Sequence, residues 1–202
     1  YSLIRYNMND VNNYKKLLIT GSLLLLLASL SIYAWVGTST LMMADDYCYL
    51  GMTRTDYRLF DVIKDTYTES VVIAGNRYSS TGLSLLVGYL GAQSVQLMPV
   101  VYIFGLMLSV YLLVREALPG IIRQRYSIES VIAGGLFAGT LLYISPSHFQ
   151  NIYWFSGIVA YCIPIICYCL LMYITIKNNG FQKNGLLSSV GALAFAIVTA
   201  GF

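Results

Sequence analysis

The run LLITGSLLLLLASLSIYAWV (residues 17–36) decides the fold class, because it is almost wholly apolar and contains no charged side chain. A helix needs about 20 apolar residues to cross the hydrocarbon core of a bilayer. The rest of the chain has a matching composition, since 57% of its 202 residues are hydrophobic and only 10% are charged. Backbone amides inside lipid must find internal partners, so apolar runs of this length form helices there. The sequence therefore predicts an all-α, polytopic transmembrane protein.

Later apolar runs predict further spans, at residues 95–114, 131–145, 156–176 and from about Leu186 onward. The alternative for the first run is a cleaved signal peptide, but the apolar core of such a peptide has only about 7–15 residues. The chain begins with Tyr1 and stops at Phe202 inside an apolar run. We therefore expect about five spans here, in the N-terminal part of a longer protein.

The positions of lysine and arginine predict which loops are cytoplasmic, because cytoplasmic loops carry the excess of these residues. Eight of the 12 basic residues lie before the first predicted span, after the second or after the fourth. The first loop instead has six acidic side chains against four basic ones, and residues 146–155 carry no formal charge. We therefore expect a cytoplasmic segment at residues 1–16 and a transmembrane domain at residues 17–202, with residues 37–94 as an extracytoplasmic loop.

The composition disfavours two kinds of site. The net charge of +3 is not gathered into a basic cluster with interleaved aromatic side chains, so no nucleic-acid partner is expected. Of the four cysteines, Cys48 lies in the first loop and the others lie within the fourth predicted span, without metal-ligand spacing. A zinc site or a disulfide framework is therefore not expected.

The first outer loop is longer than a simple connection needs, and long loops are typically functional or disordered. Residues 55–70 (TDYRLFDVIKDTYTES) space aromatic and aliphatic side chains by three and four positions, which predicts an amphipathic helix. Residues 83–91 are apolar but too short to cross a bilayer. We expect both segments to be juxtamembrane helices along the membrane surface. The alternative is one long tilted span over residues 83–114.

Two adjacent carboxylates, Asp45 and Asp46, follow the first span directly. A helix C-terminus repels negative charge, whereas a helix N-terminus favours it through its dipole and its free amides. The pair is therefore predicted to open the next helix, as its cap and first residue. Capping explains one aspartate well. It does not explain why two of them lie at a membrane edge beside Tyr47 and Tyr49.

Polar and aromatic side chains also gather in the second outer stretch, SPSHFQNIYWFSGIVAYCIP (residues 145–164). Trp154 and its aromatic neighbours are typical of an interfacial belt. Such a belt does not account for His148, Gln150 and Asn151. Aromatic faces beside amides and hydroxyls are also how proteins hold sugars, so the stretch is a candidate sugar site. The alternative for His148 is a structural hydrogen bond.

This layout resembles the GT-C class of integral-membrane glycosyltransferases, in which an acidic motif follows the first span and opens a long outer loop with juxtamembrane helices. The segments ADDYCY, GNRYSSTG and NIYWFSGIVAYCIP also resemble a poorly characterised bacterial family of such multi-pass proteins. The resemblance implies transfer of a sugar from a polyprenyl-phosphate carrier to an extracytoplasmic acceptor. It also implies a location among the lipids of the bacterial inner or plasma membrane.

The resemblance further implies roles for named residues. Asp45 or Asp46 is expected to be the general base for the acceptor hydroxyl, while the other positions the acceptor or holds a divalent cation such as Mg²⁺ or Mn²⁺. No cofactor beyond such a cation is expected. Arg77 is the candidate for binding the departing lipid phosphate; the alternative is pairing with a lipid headgroup or a loop acid. The expected lining of the sugar or acceptor site consists of Tyr47, His148, Gln150, Asn151 and Trp154.

Two rival interpretations come from other classes of protein. The chain could be a non-catalytic subunit that binds other membrane subunits, with Asp45 and Asp46 as a helix cap and the outer loop as the docking surface. A transporter is the second rival, and transporters place ionisable residues inside their spans. Here the predicted spans hold essentially no charge and the acidic residues lie at the rim, which disfavours transport.

Cys48 is the one cysteine in a predicted loop, so it reports the side of the membrane on which the first loop lies. We expect a membrane-impermeant maleimide to label it from outside intact cells, because the distribution of basic residues places this loop outside. A Cys48→Ser variant should lose the label. Labelling that requires exposure of the inner face would overturn the orientation and, with it, the glycosyltransferase interpretation.

Overall fold

A computed structural model describes residues 8–53, 58, 60–61, 64, 78–121, 127–145, 147–178 and 186–202. Its α-helices are α1 (Met8–Gly37), α2 (Asp45–Thr53), α3 (Tyr78–Leu90), α4 (Gln93–Ile121), α5 (Ser127–Ile144), α6 (Ile163–Lys177) and α7 (Leu186–Ala200). Between α5 and α6 lie two π turns, Phe149–Tyr153 and Ile158–Cys162, with a short α turn at Phe155–Gly157. No β-strand occurs within these ranges, so the predicted all-α class is confirmed for the residues that are described.

Three helical segments are long and apolar enough to cross a bilayer: Ile19–Gly37, Gln93–Ala117 and Phe155–Lys177. They coincide with the first, second and fourth predicted spans, so helices of the required length and composition are confirmed at these three places. Helices α5 and α7 form where the third and fifth spans were predicted, but their apolar parts, Ser130–Ile144 and Ser189–Ala200, are shorter than a full span. The described part of the chain therefore indicates an integral membrane protein with three helices of spanning length.

Helix α4 lies at the centre of the bundle, where it packs against α1, α5 and α6. Ile103 and Leu106 of α4 are completely buried, and the core around them includes Leu30 of α1 and Leu142 of α5. The opposite face of α4 exposes large apolar side chains such as Phe104. A helix that is apolar on all sides belongs inside a large core or in a membrane. The exposed faces of these helices are therefore suited to lipid.

The short helices α2 and α3 pack against each other at one end of the bundle. Helix α3 ends before Gly91, whose φ of +89° is readily accessible only to glycine, and α4 begins after this turn. The separate helix predicted at residues 83–91 is therefore confirmed, although it begins earlier, at Tyr78. The alternative of one continuous span over residues 83–114 is wrong. The amphipathic helix predicted at residues 55–70 lies, apart from four isolated positions, outside the described residues.

The last helix, α7, ends against the start of α3. The Ser79 hydroxyl donates a hydrogen bond to the carbonyl oxygen of Val198 at 2.6 Å, and the Ser79 N–H donates to that of Gly201 at 2.9 Å. The Tyr78 hydroxyl donates to the carbonyl oxygen of Ile197. The last carbonyls of a helix lack partners inside the helix itself. Here Tyr78 and Ser79, the first residues of α3, donate to these carbonyls. Helix α7 therefore ends at the same end of the bundle as α2 and α3.

The two ends of the bundle differ in their charged residues. Asp45 and Asp46 lie where α1 ends and α2 begins, and we call this the acidic end. Arg115 and Lys177 lie near the far ends of α4 and α6, and we call this the basic end. The separation matches the alternation of basic and non-basic loops along the sequence.

Gly37, the last residue of α1, allows α1 to approach α4 closely. A Cβ at Gly37 would lie 2.5 Å from the Cβ and 2.9 Å from the Cγ of Pro99, whose ring is rigid. We expect Gly37→Ala to lower the free energy of unfolding by about 1–3 kcal/mol, because the two helices must move apart. Denaturant unfolding in mixed micelles measures this change.

Gly21→Ala is the matched control on the same helix, since a Cβ at Gly21 meets no atom within 4 Å. It should be neutral or stabilising, because alanine is the better helix former. Equal effects of the two substitutions would contradict the close packing at Gly37.

Candidate functional site

The chain between α5 and α6 departs from regular helix at the acidic end. The π turn Phe149–Tyr153 is followed by Trp154, whose φ of −90° and ψ of 115° are extended. The short turn Phe155–Gly157 and the second π turn Ile158–Cys162 then lead into α6. We call residues 148–162 the broken segment. Turns of π-helix are frequent at functional sites, so this segment is the first candidate for one.

Gly157 holds the two halves of the broken segment together. A Cβ at this position would lie 2.1 Å from the backbone carbonyl oxygen of Gln150, an approach that only glycine permits. A second contact joins the same halves, since the Cys162 thiol donates to the carbonyl oxygen of Asn151 at 2.9 Å. The first π turn therefore folds back onto the start of the second.

Asp46 joins the broken segment to the start of α2. Its side chain is only 1% exposed. Its Oδ1 accepts hydrogen bonds from the backbone N–H of Ser156 at 3.0 Å and from the Ser156 hydroxyl at 2.5 Å. Its Oδ2 accepts a hydrogen bond from the backbone N–H of Met43 at 3.0 Å. Burying a carboxylate is costly unless its oxygens are hydrogen-bonded, and here both oxygens are.

The turn before α2 is shaped by the same carboxylate. The N–H of Asp46 donates to the carbonyl oxygen of Met43 at 2.9 Å, while the side chain of Asp46 reaches back to the N–H of Met43. The acidic member of a capping box makes the same reach. Ala44, between them, has a φ of 43°, which is uncommon for a residue with a Cβ. Such strain persists only where surrounding contacts enforce it, and the bonds of Asp46 are those contacts.

Asp45 and Tyr47 are the neighbours of Asp46 in α2. Both lie in the first turn of α2 and both are exposed, Tyr47 by 61%. Helix α2 begins at Asp45, so the two aspartates open it as predicted, although as its first and second residues rather than as its cap and first residue. Neighbouring residues on a helix point about 100° apart, so Asp46 turns into the contact with Ser156 while Asp45 stays at the surface next to it. The carboxylate of Asp45 is the one that a ligand can reach.

His148 and Trp154 each have a buried nitrogen that lacks a hydrogen-bond partner within the part of the chain described. The atoms are Nε2 of His148 and Nε1 of Trp154. The imidazole of His148 stacks on the ring of Tyr33 in α1, with 5.9 Å between centroids and 22° between planes. Buried polar atoms in folded proteins nearly always have a partner, which can be a water or a ligand. These two nitrogens are therefore candidate contacts for a bound polar molecule.

The remaining predicted residues of the broken segment have different surroundings. The amide of Asn151 is half-buried and donates to the Ser145 hydroxyl at 2.7 Å, whereas Gln150 is exposed. The pKa of Tyr153 is raised above its ordinary value, chiefly by burial and then by the nearby Tyr33. The phenol of Tyr153 therefore stays protonated at neutral pH and can donate a hydrogen bond.

The structure thus brings the acidic pair and the second outer stretch to one place, through the contact between Asp46 and Ser156. Arg77 lies outside the described residues. Ser156 is the residue that the sequence reasoning missed, because a serine beside a glycine in an apolar helix is common and carries no distinctive signal. Only the tertiary contact with Asp46 identifies it.

No group of three or more histidine, cysteine, aspartate or glutamate side chains suited to a metal occurs in the described ranges. Both oxygens of Asp46 are already hydrogen-bonded. A divalent cation at Asp45 would therefore take most of its oxygen ligands from water and substrate, as Mg²⁺ commonly does.

Comparison of the chain with protein-family models, with curated proteins and with solved structures found no match. The class of protein is therefore defined by fold and site alone. It is a helical membrane protein whose acidic end joins a buried aspartate to a broken helix.

The two aspartates form a matched pair for mutation. We expect Asp46→Asn to lower the free energy of unfolding by about 3 kcal/mol. The NH₂ group of asparagine would replace one carboxylate oxygen and would point at an N–H or O–H donor from which that oxygen now accepts a hydrogen bond. Asp45→Asn, at an exposed position, should cost less than about 1 kcal/mol through the helix dipole. Denaturant unfolding in mixed micelles measures both.

A double-mutant cycle with Ser156→Ala separates the contact from other effects of Asp46. Asp46→Asn should cost less in the Ser156→Ala background than in the parent, because the hydroxyl bond is already gone. Strict additivity, or equal effects of Asp45→Asn and Asp46→Asn, would show that the contact does not stabilise the fold.

Proposed function

We propose that the protein is a GT-C-like membrane glycosyltransferase, which moves a sugar from a polyprenyl-phosphate carrier to an acceptor outside the cytoplasm. One observation carries the proposal: the hydrogen bonds between Asp46 and Ser156 place the acidic pair beside the broken segment. An acidic pair alone needs no function beyond helix capping. An acidic pair next to a broken helix offers both a base and a polar binding surface, since the buried nitrogens of His148 and Trp154 have no partner among the described residues.

In this proposal Asp45 is the general base. The acceptor hydroxyl attacks the anomeric carbon of the sugar, the bond from that carbon to the carrier phosphate breaks, and Asp45 takes the hydroxyl proton. Glycosyl transfer of this kind passes through an oxocarbenium-like transition state, and a well-placed base contributes about 10²–10⁴-fold. The exposure of Asp45 supports this role, since the carboxylate of Asp46 is buried and fully hydrogen-bonded. Asp46 is then a positioning residue, which fixes the first turn of α2.

The other ligand contacts follow from the same placement. The Nε1–H of Trp154 donates to a sugar hydroxyl, and Nε2 of His148 donates to or accepts from another. The exposed Tyr47 and Gln150 lie at the rim. Arg77 is the candidate for the carrier phosphate because a guanidinium matches phosphate oxygens in pairs. In the sequence it directly precedes α3, which packs against α2. Asn151 supports the site by holding Ser145.

The proposal also assigns an orientation to the bundle. The acidic end faces the extracytoplasmic side of a bacterial inner or plasma membrane, and the N-terminus and the basic end face the cytoplasm. The excess of basic residues in cytoplasmic loops supports this orientation. So does the position of Arg115 and Lys177 at the end of the bundle opposite Asp45.

A second candidate function, a non-catalytic subunit of a membrane complex, is favoured by one observation. The carboxylate of Asp46 finds all its donors within the chain itself, as a purely structural connector would. In this case α2 and α3 form a docking surface for another subunit.

Native mass spectrometry of the full-length protein in mild detergent distinguishes the two candidates. We expect the parent protein to retain a polyprenyl-phosphate lipid and Arg77→Ala to lose it, because the variant lacks the phosphate contact. Asp45→Asn should retain the lipid while release of free carrier phosphate from a glycolipid extract falls by about 10²–10⁴-fold.

Asp61→Asn is the matched control, since Asp61 is exposed and belongs to the same loop. It should retain both the lipid and the release of carrier phosphate. A stoichiometric protein partner without carrier lipid would instead support the non-catalytic subunit. Full activity of Asp45→Asn would exclude Asp45 as the base.

A further inference from the structure

Helix α3 has small polar side chains on its buried face and large apolar side chains on its exposed face. Ser80, Thr81 and Ser84 are buried, with Ser84 only 2% exposed, whereas Leu86 and Leu90 are exposed, Leu90 by 72%. Residues three and four apart share a face of a helix. Leu86 follows Ser84 by two residues, a rotation of about 200°, so the two sets lie on opposite faces. A helix at a water surface has the reverse arrangement, with its apolar face inward.

The buried face of α3 lies against the candidate site. Helix α3 packs against α2, against α4 and against the second π turn of the broken segment. Its buried face also includes Leu85. At membrane depth, irregular backbone occurs only where protein covers it or where it lines a water-filled cavity. The broken segment is irregular backbone of this kind, and α3 covers part of it.

Both ends of α3 are joined to apolar helices with exposed apolar side chains. At its start, the Tyr78 hydroxyl donates to the carbonyl oxygen of Ile197 in α7, and the side chains of Ile197 and Val198 are exposed. At its end, the turn at Gly91 leads into α4, a helix of spanning length whose exposed apolar side chains include Leu97. The exposed leucines of α3 thus lie between two surfaces that are suited to lipid.

We propose that α3 is embedded in the bilayer at the acidic end, with Leu86, Tyr89 and Leu90 in contact with lipid acyl chains. The partner of this exposed face is the hydrocarbon of that leaflet. The helix then separates the lipid from the broken segment, and its serine and threonine side chains face the protein. A helix that lies on the membrane surface would instead turn its polar face to water. The proposal does not depend on the proposed glycosyl transfer.

Photolabelling from the lipid tests the contact directly. The full chain is placed in phosphatidylcholine nanodiscs that contain some phosphatidylcholine with a diazirine part-way along one acyl chain, and mass spectrometry of peptides locates the label after illumination. We expect label on Leu86 and Leu90 at a level comparable with that on Leu97 of α4, because all three contact acyl chains. Asp61, an exposed acidic residue of the first loop, is the control and should carry none.

Thiol labelling tests whether water reaches the same face. In the same nanodiscs, both sides of which are open to solution, a membrane-impermeant maleimide is counted on each variant. Asp61→Cys should add one label to those of the parent. Leu90→Cys should add none, because the thiolate that reacts does not form in hydrocarbon and the reagent does not enter it.

Two outcomes would overturn the proposal. Equal labelling of Leu90→Cys and Asp61→Cys would show that the exposed face of α3 contacts water. Photolabel on Leu97 without any on Leu86 or Leu90 would show that protein covers this face, either residues 54–77 of the same chain or a second copy.

Discussion

The hydrogen bonds of the Asp46 carboxylate are the interaction on which the acidic end of the bundle depends. Ser156 and Met43 belong to parts of the chain far apart in sequence, and Asp46 is the group that binds both. Near a bilayer an unpaired carboxylate or amide costs more free energy than it would in water, because fewer water molecules can replace the missing partner. The broken segment and the strained turn at Ala44 therefore both depend on Asp46, which accepts hydrogen bonds from the N–H of Ser156 in the segment and of Met43 in the turn.

The two adjacent aspartates have different surroundings because of simple helix geometry. Successive side chains on a helix point about 100° apart. When Asp46 of α2 points into the bundle, Asp45 is therefore left at the surface. One carboxylate is then rigid and saturated with donors, and the other is exposed on the same rigid turn. Active sites commonly need this combination, in which a reactive group is supported by a neighbour that does not react.

The sequence predicts those features that depend on local composition. The apolar runs locate the helices, and the repulsion between aspartate and a helix C-terminus predicts that Asp45 and Asp46 open α2. Helices α5 and α7 form where the third and fifth apolar runs predicted them, but their apolar parts are shorter than a full span, because an apolar run can end before it reaches spanning length. The π turns could not be predicted, since they depend on the contact of Gly157 with the backbone of Gln150. Ser156 escaped notice for the same reason: its role exists only through a partner 110 residues away.

The two π turns have a consequence for how the length of this segment can change. A π turn pairs residues i and i+5, so it accommodates one residue more than an α turn. Loss of one residue from Ile158–Cys162 would restore α-helix and rotate all of α6 by about 100°, while Ser156 stayed beside Asp46. Loss of one residue from Phe149–Tyr153 would leave α6 intact and rotate His148 relative to Trp154. A deletion in one π turn can therefore rotate α6, and a deletion in the other can rearrange the candidate site, each without affecting the other.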